Sequence, residues 1–180
     1  MPDAAIAAAT PLAAALALAE GHALTLGLAD GVQALPLAGA LLYHRAGKHT
    51  GVVLAYRVLG AACARAPAPP AADAIAIEGG HPGSGMEDAF EFFTRAVSAG
   101  RYRRSAFAEG CRVAGAPGVF RWRVAWGGGE ADLDLRAGVL DPALFAPPAG
   151  EPAAARHARQ RTAIAAILAA ADDELFALRR

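Results

Sequence analysis

The sequence predicts an α+β domain in which helices pack on a mixed, largely antiparallel sheet. Helix signals recur along the chain, one short isoleucine-rich run indicates a buried strand, and the apolar period changes to two beyond Val119. Runs of helices and runs of strands that do not alternate strictly favour this class over a parallel α/β fold. At 180 residues the chain is expected to form a single domain over residues 1–180.

The chain is predicted to begin with a helix and a hairpin. Thr10 and Pro11 mark the start of the helix, because threonine is a good N-cap and proline suits the first helical position. Gly21 ends this helix, which is expected to span about Pro11 to Glu20. Apolar runs on both sides of Asp30-Gly31 predict a hairpin, and a short helix is predicted within the following stretch, PLAGALLYH.

A second long helix and a strand follow. Thr50 is predicted to cap a helix from Gly51 to about Arg65, which carries apolar residues on one face. The proline-rich stretch APAPP ends this helix, because proline cannot continue it and also restrains the residue before it. The run AIAIE, residues 74–78, is short and flanked by breakers, which indicates a buried strand.

The stretch GGHPGSGMED leaves that strand as a glycine-rich loop. Ser84 and Glu87 have the spacing of a capping box, so the loop is expected to lead into another helix. Apolar residues at helical spacing predict that this helix spans about Gly85 to Ala99, and Gly100 ends it.

The clearest hairpin is predicted between residues 119 and 136, where apolar and polar residues alternate. A four-residue connection over 127–130 would set Trp122 against Leu135 and keep like faces together. A final helix is predicted from about Pro152 to Ala171, after a proline-rich linker.

Charge and cysteine content exclude several classes of protein. Seventeen basic and 17 acidic side chains give a formal net charge of zero, so we expect neither nucleic acid nor a membrane as partner. The amino terminus has no basic region before its apolar run, and polar residues interrupt that run, which argues against a secretory signal or a membrane span. Cys63 and Cys111 form no CxxC pattern, which favours a reducing compartment and a cytoplasmic location.

Two loops precede predicted helices and carry the candidate site: YHRAGKHTG, residues 43–51, and EGGHPGSG. If these loops meet, His44, His49 and His81 would face one another, with Lys48 and Glu78 nearby. Neutral imidazoles are ligands for zinc, iron, nickel or copper, and three protein ligands with one open position are usual in catalytic zinc sites. The three histidines are therefore candidate metal ligands.

The same loops also suit a metal-free ligand. Helix N-termini favour anions, and Lys48, the chain's only lysine, would supply a positive charge beside the hydroxyls of Thr50 and Ser84. No histidine has HxH or HxxxH spacing, and histidines in glycine-rich loops are usually exposed or hydrogen-bonded to backbone. The loop is neither a P-loop nor a dinucleotide fingerprint. A hydrolase ranks third, because no nucleophile, base and orienting group show recognisable spacing.

The order of these motifs resembles the E-subunit family of formylmethanofuran dehydrogenase, including its stand-alone bacterial relatives. That family has an F-H-G-H-x-C-P-G segment before a G-L-A-L-G-Y-R helix, and YHRAGKHTGVVLAYR is similar with one residue inserted. AIEGGHPGSGMEDAFEFF resembles the family's strand and D-A-C-G-x-D-A loop. IAAILAAADDELFALRR resembles its carboxyl-terminal helix and D-E-E-L-F ending. The resemblance runs from Leu37 to the end of the chain, and no single motif is intact.

The resemblance implies a homodimer of α+β domains with a metal at the mouth between the two loops. Residues 37–180 would form the core that resembles this family, and residues 1–36 would add the N-terminal helix and hairpin. The implied role is an accessory protein of one-carbon or molybdenum/tungsten enzyme metabolism that binds zinc, nickel or iron. The alternative is a metal-free module that binds a small anion or a cofactor at paired helix N-termini.

Carried over by position, the metal ligands match this chain in part. His44 matches the family's first histidine, and the second falls on Ala46 or Gly47 and is lost. His49 stands at or beside the position of the segment's cysteine. The loop cysteine corresponds to Ser84 or its neighbours, with His81 close by. Both thiolates are therefore absent, and imidazoles would take their place.

Overall fold

A computed structural model describes residues 10–45 and 47–179. The first nine residues of the predicted N-terminal extension lie outside these ranges. So does Ala46, one of the two positions matched to the family's second histidine.

The described chain forms helices on one face of a five-stranded sheet, with a separate two-stranded hairpin. The helices are α1 Pro11–Leu18, α2 Leu37–His44, α3 His49–Cys63, α4 Ser84–Thr94, α5 Ala153–Ala169 and α6 Asp172–Leu175. The strands are β1 Ala23–Leu28, β2 Gly31–Pro36, β3 Ala76–Gly79, β4 Tyr102–Arg104, β5 Arg121–Trp126, β6 Gly129–Leu135 and β7 Phe176–Arg179. Short 3₁₀ turns cover Ala72–Ala74 and Pro142–Leu144.

The sheet is mixed and largely antiparallel, which confirms the predicted fold class. Its strand order is β4-β3-β5-β6-β7, and only the β3–β4 pair is parallel. The hairpin of β1 and β2 forms around Asp30-Gly31 as predicted, with Gly31 at φ 111°. Among the described residues no helix is both long and apolar enough to cross a membrane.

Helix α3 lies at the centre of the core. It contacts α2, α4, α5 and the strands β5 and β6. The sequence predicted that only one face of this helix is buried. In the structure Val53, Leu54 and Val58 are buried as well as Val52 and Leu59, so the helix is covered on more than one face. A helix that is covered on most sides needs small residues where its neighbours come close, and α3 is accordingly rich in alanine and glycine.

The start of α3 and of α4 differs from the predicted caps. α3 begins at His49 with Lys48 as N-cap, so Thr50 lies inside the first turn instead of capping it. α4 begins at Ser84 with Gly83 as N-cap, and the predicted capping box does not form. The Glu87 carboxylate instead accepts a hydrogen bond from the Arg104 guanidinium at 2.7 Å.

Helix α4 also ends earlier than the predicted Ala99. Arg95 adopts a left-handed conformation at φ 56°, which stops the helix after Thr94. The Glu91 carboxylate then accepts hydrogen bonds from the Ser98 amide and hydroxyl, at 2.9 and 2.6 Å, and closes a turn. The chain leaves this turn as β4, an edge strand of three residues that was not predicted.

The β5–β6 hairpin forms with a register that differs from the prediction by two residues. Gly127 and Gly128 make a two-residue connection, so Trp122 pairs with Leu133 instead of Leu135. A shift of two residues keeps the same side chains on the same face, because side chains alternate along a strand. Trp122 is therefore buried against the helices as the alternation predicted.

The carboxyl-terminal segment is a helix followed by a strand. The predicted helix to Ala171 ends at Ala169, where the Arg57 guanidinium donates to the carbonyls of Ile167 and Leu168. The same guanidinium donates to the Asp172 carboxylate at 2.8 Å. The chain turns through α6 and adds β7 to the edge of the sheet beside β6, where Phe176 is buried.

We predict that Gly85→Ala destabilises the protein whereas Gly60→Ala does not. A Cβ on Gly85 would lie 2.9 Å from the Lys48 carbonyl oxygen, a backbone atom that cannot move cheaply, so we expect a loss of about 1–3 kcal/mol. Gly60, in α3, has open space around the corresponding position, and alanine there should stabilise by about 0.5–1 kcal/mol. Urea unfolding of both variants measures the two effects. Equal stability of the two variants would contradict this account of the contact.

Candidate functional site

The two candidate loops meet in the structure, because the N-termini of α3 and α4 pack side by side. A Cβ on Gly51 would be 3.5 Å from the Met86 backbone nitrogen, and one on Gly85 would be 3.3 Å from that of Val52. Glycine is required at Gly85, because a Cβ there would also lie 2.9 Å from the Lys48 carbonyl oxygen, whereas 3.5 Å at Gly51 is an ordinary van der Waals distance. No side chain among the described residues caps either helix.

Uncapped N-termini leave backbone N–H groups available to a ligand. In α4 the Met86 and Glu87 amides already donate to the Gly83 carbonyl, whereas the amides of Ser84 and Gly85 precede the first helical hydrogen bond. In α3 the Gly51 amide donates to the Lys48 carbonyl. The helix dipoles add partial positive charge at the same place.

A cavity of about 390 Å³ opens beside these two helix N-termini. Its polar part carries Lys48, Thr50, His81, Ser84 and, from α5, Gln160. Its apolar part comes from α3 and α4 and from the loops before and after the β5–β6 hairpin. The apolar side chains are Leu54, Pro82, Met86, Pro117, Phe120, Leu140, Leu144 and Phe145. No aspartate or glutamate is among the described residues that line it.

His81 is the most tightly held polar side chain of this cavity. Its Nδ1 lies 2.9 Å from the Pro117 carbonyl oxygen, and its ring stacks on Phe120 with centroids 4.3 Å apart and an interplanar angle of 18°. Phe145 packs on the same ring edge-on at 5.9 Å. Only 8% of the residue is exposed. Ring orientation is thus fixed by two aromatic neighbours and one hydrogen bond.

The hydrogen bond also fixes the tautomer of His81. A carbonyl oxygen can only accept, so Nδ1 carries the hydrogen and the neutral ring has its lone pair on Nε2. Nε2 lies at the start of α4, where a Cβ on Gly83 would be 2.9 Å away. Among the described residues Nε2 makes no hydrogen bond. It is therefore an acceptor that a ligand can reach.

Burial lowers the pKa of His81 below its usual value of 6.5. The hydrogen bond to Pro117 opposes this shift, and the positive charge of Lys48 adds to it. The imidazole is therefore mostly neutral at pH 7.

The remaining residues expected to contact a ligand have different environments. Lys48 and Ser84 are exposed at the mouth of the cavity. The Thr50 Oγ1 atom is buried and has no hydrogen-bond partner among the described residues. Glu78 does not line the cavity, in contrast to the expectation, because its carboxylate faces Arg103 at 3.1 Å on the sheet.

His44 and His49 form a pair beneath the α3–α4 contact. Nδ1 of His44 donates to the Asp88 carboxylate at 2.7 Å, and its Nε2 is buried without a partner among the described residues. The ring of His49 meets that of His44 edge-on, with centroids 6.1 Å apart. The pKa of His49 is lowered by burial and, to a smaller extent, by His44.

The structure does not bring all three histidines to one cavity. His81 lines the cavity with Lys48, whereas His49 lines a second one, of about 330 Å³, between α1 and α5. Within residues 10–45 and 47–179, no group of three or more His, Cys, Asp or Glu side chains is placed to hold a metal ion.

Some residues of the site were not predicted from the sequence. Asp88, which orients His44, lies one turn into α4, and the two residues are 44 positions apart in sequence. Phe120, Phe145 and the Pro117 carbonyl come from segments that lie far from both loops in sequence. No local pattern indicates such a contact.

The cysteines do not extend the site. Cys63 and Cys111 are both free thiols. Burial raises the pKa of Cys63 to about 11, so its thiolate is scarce at neutral pH. Burial also raises the pKa of Cys111, with a further contribution from Asp134.

Comparisons with protein-family models and with curated proteins find no match for this chain. The resemblance to the E-subunit family of formylmethanofuran dehydrogenase stays a prediction from the sequence motifs.

We predict that His81 makes the protein less stable at mildly acidic pH. The pKa of His81 is lower in the folded state than in the unfolded chain, so the unfolded chain binds the proton more tightly. The free energy of unfolding therefore decreases as the pH falls below about 6.5. His81→Phe should therefore show a smaller fall in the free energy of unfolding between about pH 7.5 and pH 5 than the wild type. Urea unfolding at the two pH values measures this difference, with exposed His157→Phe as control. A fall as large as that of the wild type would contradict the account.

Proposed function

We propose that this protein binds a small anionic metabolite or cofactor in the cavity beside the N-termini of α3 and α4. The observation that carries the proposal is the convergence of two uncapped helix N-termini and the only lysine of the chain on one cavity. Each of these features attracts negative charge. The absence of carboxylates among the described lining residues removes a source of repulsion.

The main-chain amides, Lys48 and Thr50 have separate roles in this proposal. The amides of Ser84 and Gly85 would donate hydrogen bonds to the anion, and Lys48 would add a point charge from the mouth. Thr50 lines the cavity, and its Oγ1, buried without a partner among the described residues, would gain one by rotation of the side chain toward the ligand. The close contact at Gly85 holds the two N-termini in place, so the protein would lose little conformational freedom when the ligand binds.

Titration with inorganic phosphate tests this site directly. We expect backbone amide resonances of residues 48–51 and 83–86 to shift, and Lys48→Ala to weaken binding about five- to tenfold because one charge contact is lost. Arg112→Ala removes an exposed positive charge outside the lining residues and should leave binding unchanged. Two-dimensional ¹H–¹⁵N spectra measure all three proteins. The proposal would be refuted if Lys48→Ala bound phosphate as tightly as the wild type, or if only resonances in other parts of the chain shifted.

A transition-metal site is the second candidate function, and the environment of His44 favours it. The Asp88 carboxylate fixes the ring through Nδ1 and leaves Nε2 buried and without a partner among the described residues, next to His49. Carboxylates orient metal-binding histidines in this way. His44 and His49 would supply two imidazole ligands, and water would complete the coordination. The metal-binding accessory role, the homodimer and the cytoplasmic location stay predictions from the sequence.

Elemental analysis and thermal unfolding of untagged protein test the metal site. With zinc, nickel or iron at about 100 times the dissociation constant, we expect stabilisation near 2.7 kcal/mol, or roughly 5–10 °C in Tm. His44→Ala should abolish the shift, and His81→Ala should keep it because His81 lies in the other cavity. Protein that carries no metal and shows no shift would remove this candidate.

A further inference from the structure

The anion-binding cavity has a second, apolar part that an inorganic anion would not fill. Phe120, Phe145, Leu140 and Leu144 line this part, and Leu54 and Met86 close it from the helices. At about 390 Å³ the cavity falls within the range of small-molecule sites. A ligand that excludes water from this wall must carry an apolar body next to its anionic group.

His81 adds a requirement of a different kind. Its Nδ1 hydrogen is committed to the Pro117 carbonyl, so the neutral ring offers the cavity only an acceptor, at Nε2. A carboxylate oxygen cannot donate a hydrogen bond, and its lone pairs would repel this nitrogen. The ligand must therefore present an O–H or N–H group to His81, or leave a buried acceptor without a partner.

The position of Nε2 determines where that donor must be. A Cβ on Gly83 would lie 2.9 Å from Nε2, and Gly83 is the N-cap of α4. An anion held by the Ser84 and Gly85 amides would therefore lie close to His81. A donor attached one or two bonds from the acid carbon would then be in reach of Nε2, since a hydrogen bond spans about 3 Å.

The charge of the site decides between a hydroxyl and an amine. An ammonium group would meet Lys48 and the positive ends of two helix dipoles, and no carboxylate is among the described residues of the cavity to balance it. A hydroxyl donates without adding positive charge. The uncharged donor is favoured.

We propose, on the basis of the anion-binding function above, that the ligand is a 2-hydroxy carboxylic acid with an apolar, preferably aromatic, side chain. The carboxylate lies at the N-termini of α3 and α4 with Lys48. The hydroxyl donates to Nε2 of His81, and the side chain packs against Leu144 and Phe145. His81 is thus the residue that selects the hydroxy acid over the plain acid.

The test uses two probes that differ by one hydroxyl, 3-phenyllactate and 3-phenylpropionate, and measures their dissociation constants by calorimetry. For wild-type protein we expect 3-phenyllactate to bind about tenfold more tightly, the effect of one hydrogen bond. His81→Phe keeps an aromatic ring on Phe120 and removes the acceptor, so the ratio should fall to about one. Lys48→Ala should weaken both acids by the same factor and keep the ratio.

A second measurement needs no variant. The ¹⁵N resonance of His81 Nε2 in wild-type protein should move when 3-phenyllactate binds and stay in place with 3-phenylpropionate. Equal affinity for the two acids with an unmoved Nε2 resonance would overturn this inference and leave the anion site intact. If neither acid nor inorganic phosphate shifts the amides of residues 48–51 and 83–86, the anion site and the inference both fail.

Discussion

The contact between the N-termini of α3 and α4 is the constraint on which the rest of the site depends. Gly85 lets two backbones meet where a side chain would hold them apart. One contact consequently places two sets of N–H groups on the same cavity, encloses Thr50 Oγ1, and covers the His44–His49 pair. The glycine that allows this approach thereby brings the positive ends of two helix dipoles to one site.

Burial and exposure divide the polar residues of this region into two groups. Lys48 and Ser84 remain in contact with solvent at the mouth, whereas His81 is enclosed by aromatic rings and held neutral by desolvation. An anion therefore meets a hydrated charge first and a fixed neutral acceptor deeper in the cavity. His44, oriented by Asp88, belongs to a separate environment under the helix contact.

The fold class and most elements could be predicted from the sequence, because periodicity and turn residues are local signals. The hairpin around Asp30-Gly31 and the β5–β6 pair are examples, although two glycines shortened the second turn and moved its register by two residues. Strand β7 could not be predicted from the sequence. Its pairing with β6 requires α5 to end at Ala169, where Arg57, from a distant part of the chain, binds the last carbonyls. The sequence could not predict that the loops before α3 and α4 meet, because their contact joins segments that are distant along the chain. From the sequence one can only say what would follow if they did. The packing of Phe120 and Phe145 on His81 could not be predicted either, because no local sequence pattern indicates these contacts.

The hydrogen bond from His81 to Pro117 couples the binding cavity to a distant stretch of chain. Gly118, at φ 72°, follows that proline, and a side chain there would collide with the Gly80 carbonyl oxygen. The backbone of one loop thus decides which nitrogen of a ring in another carries the hydrogen. A change of backbone at Gly118 that withdrew the Pro117 carbonyl would free the ring to carry its hydrogen on Nε2. The same imidazole would then favour a compound that accepts a hydrogen bond over one that donates it.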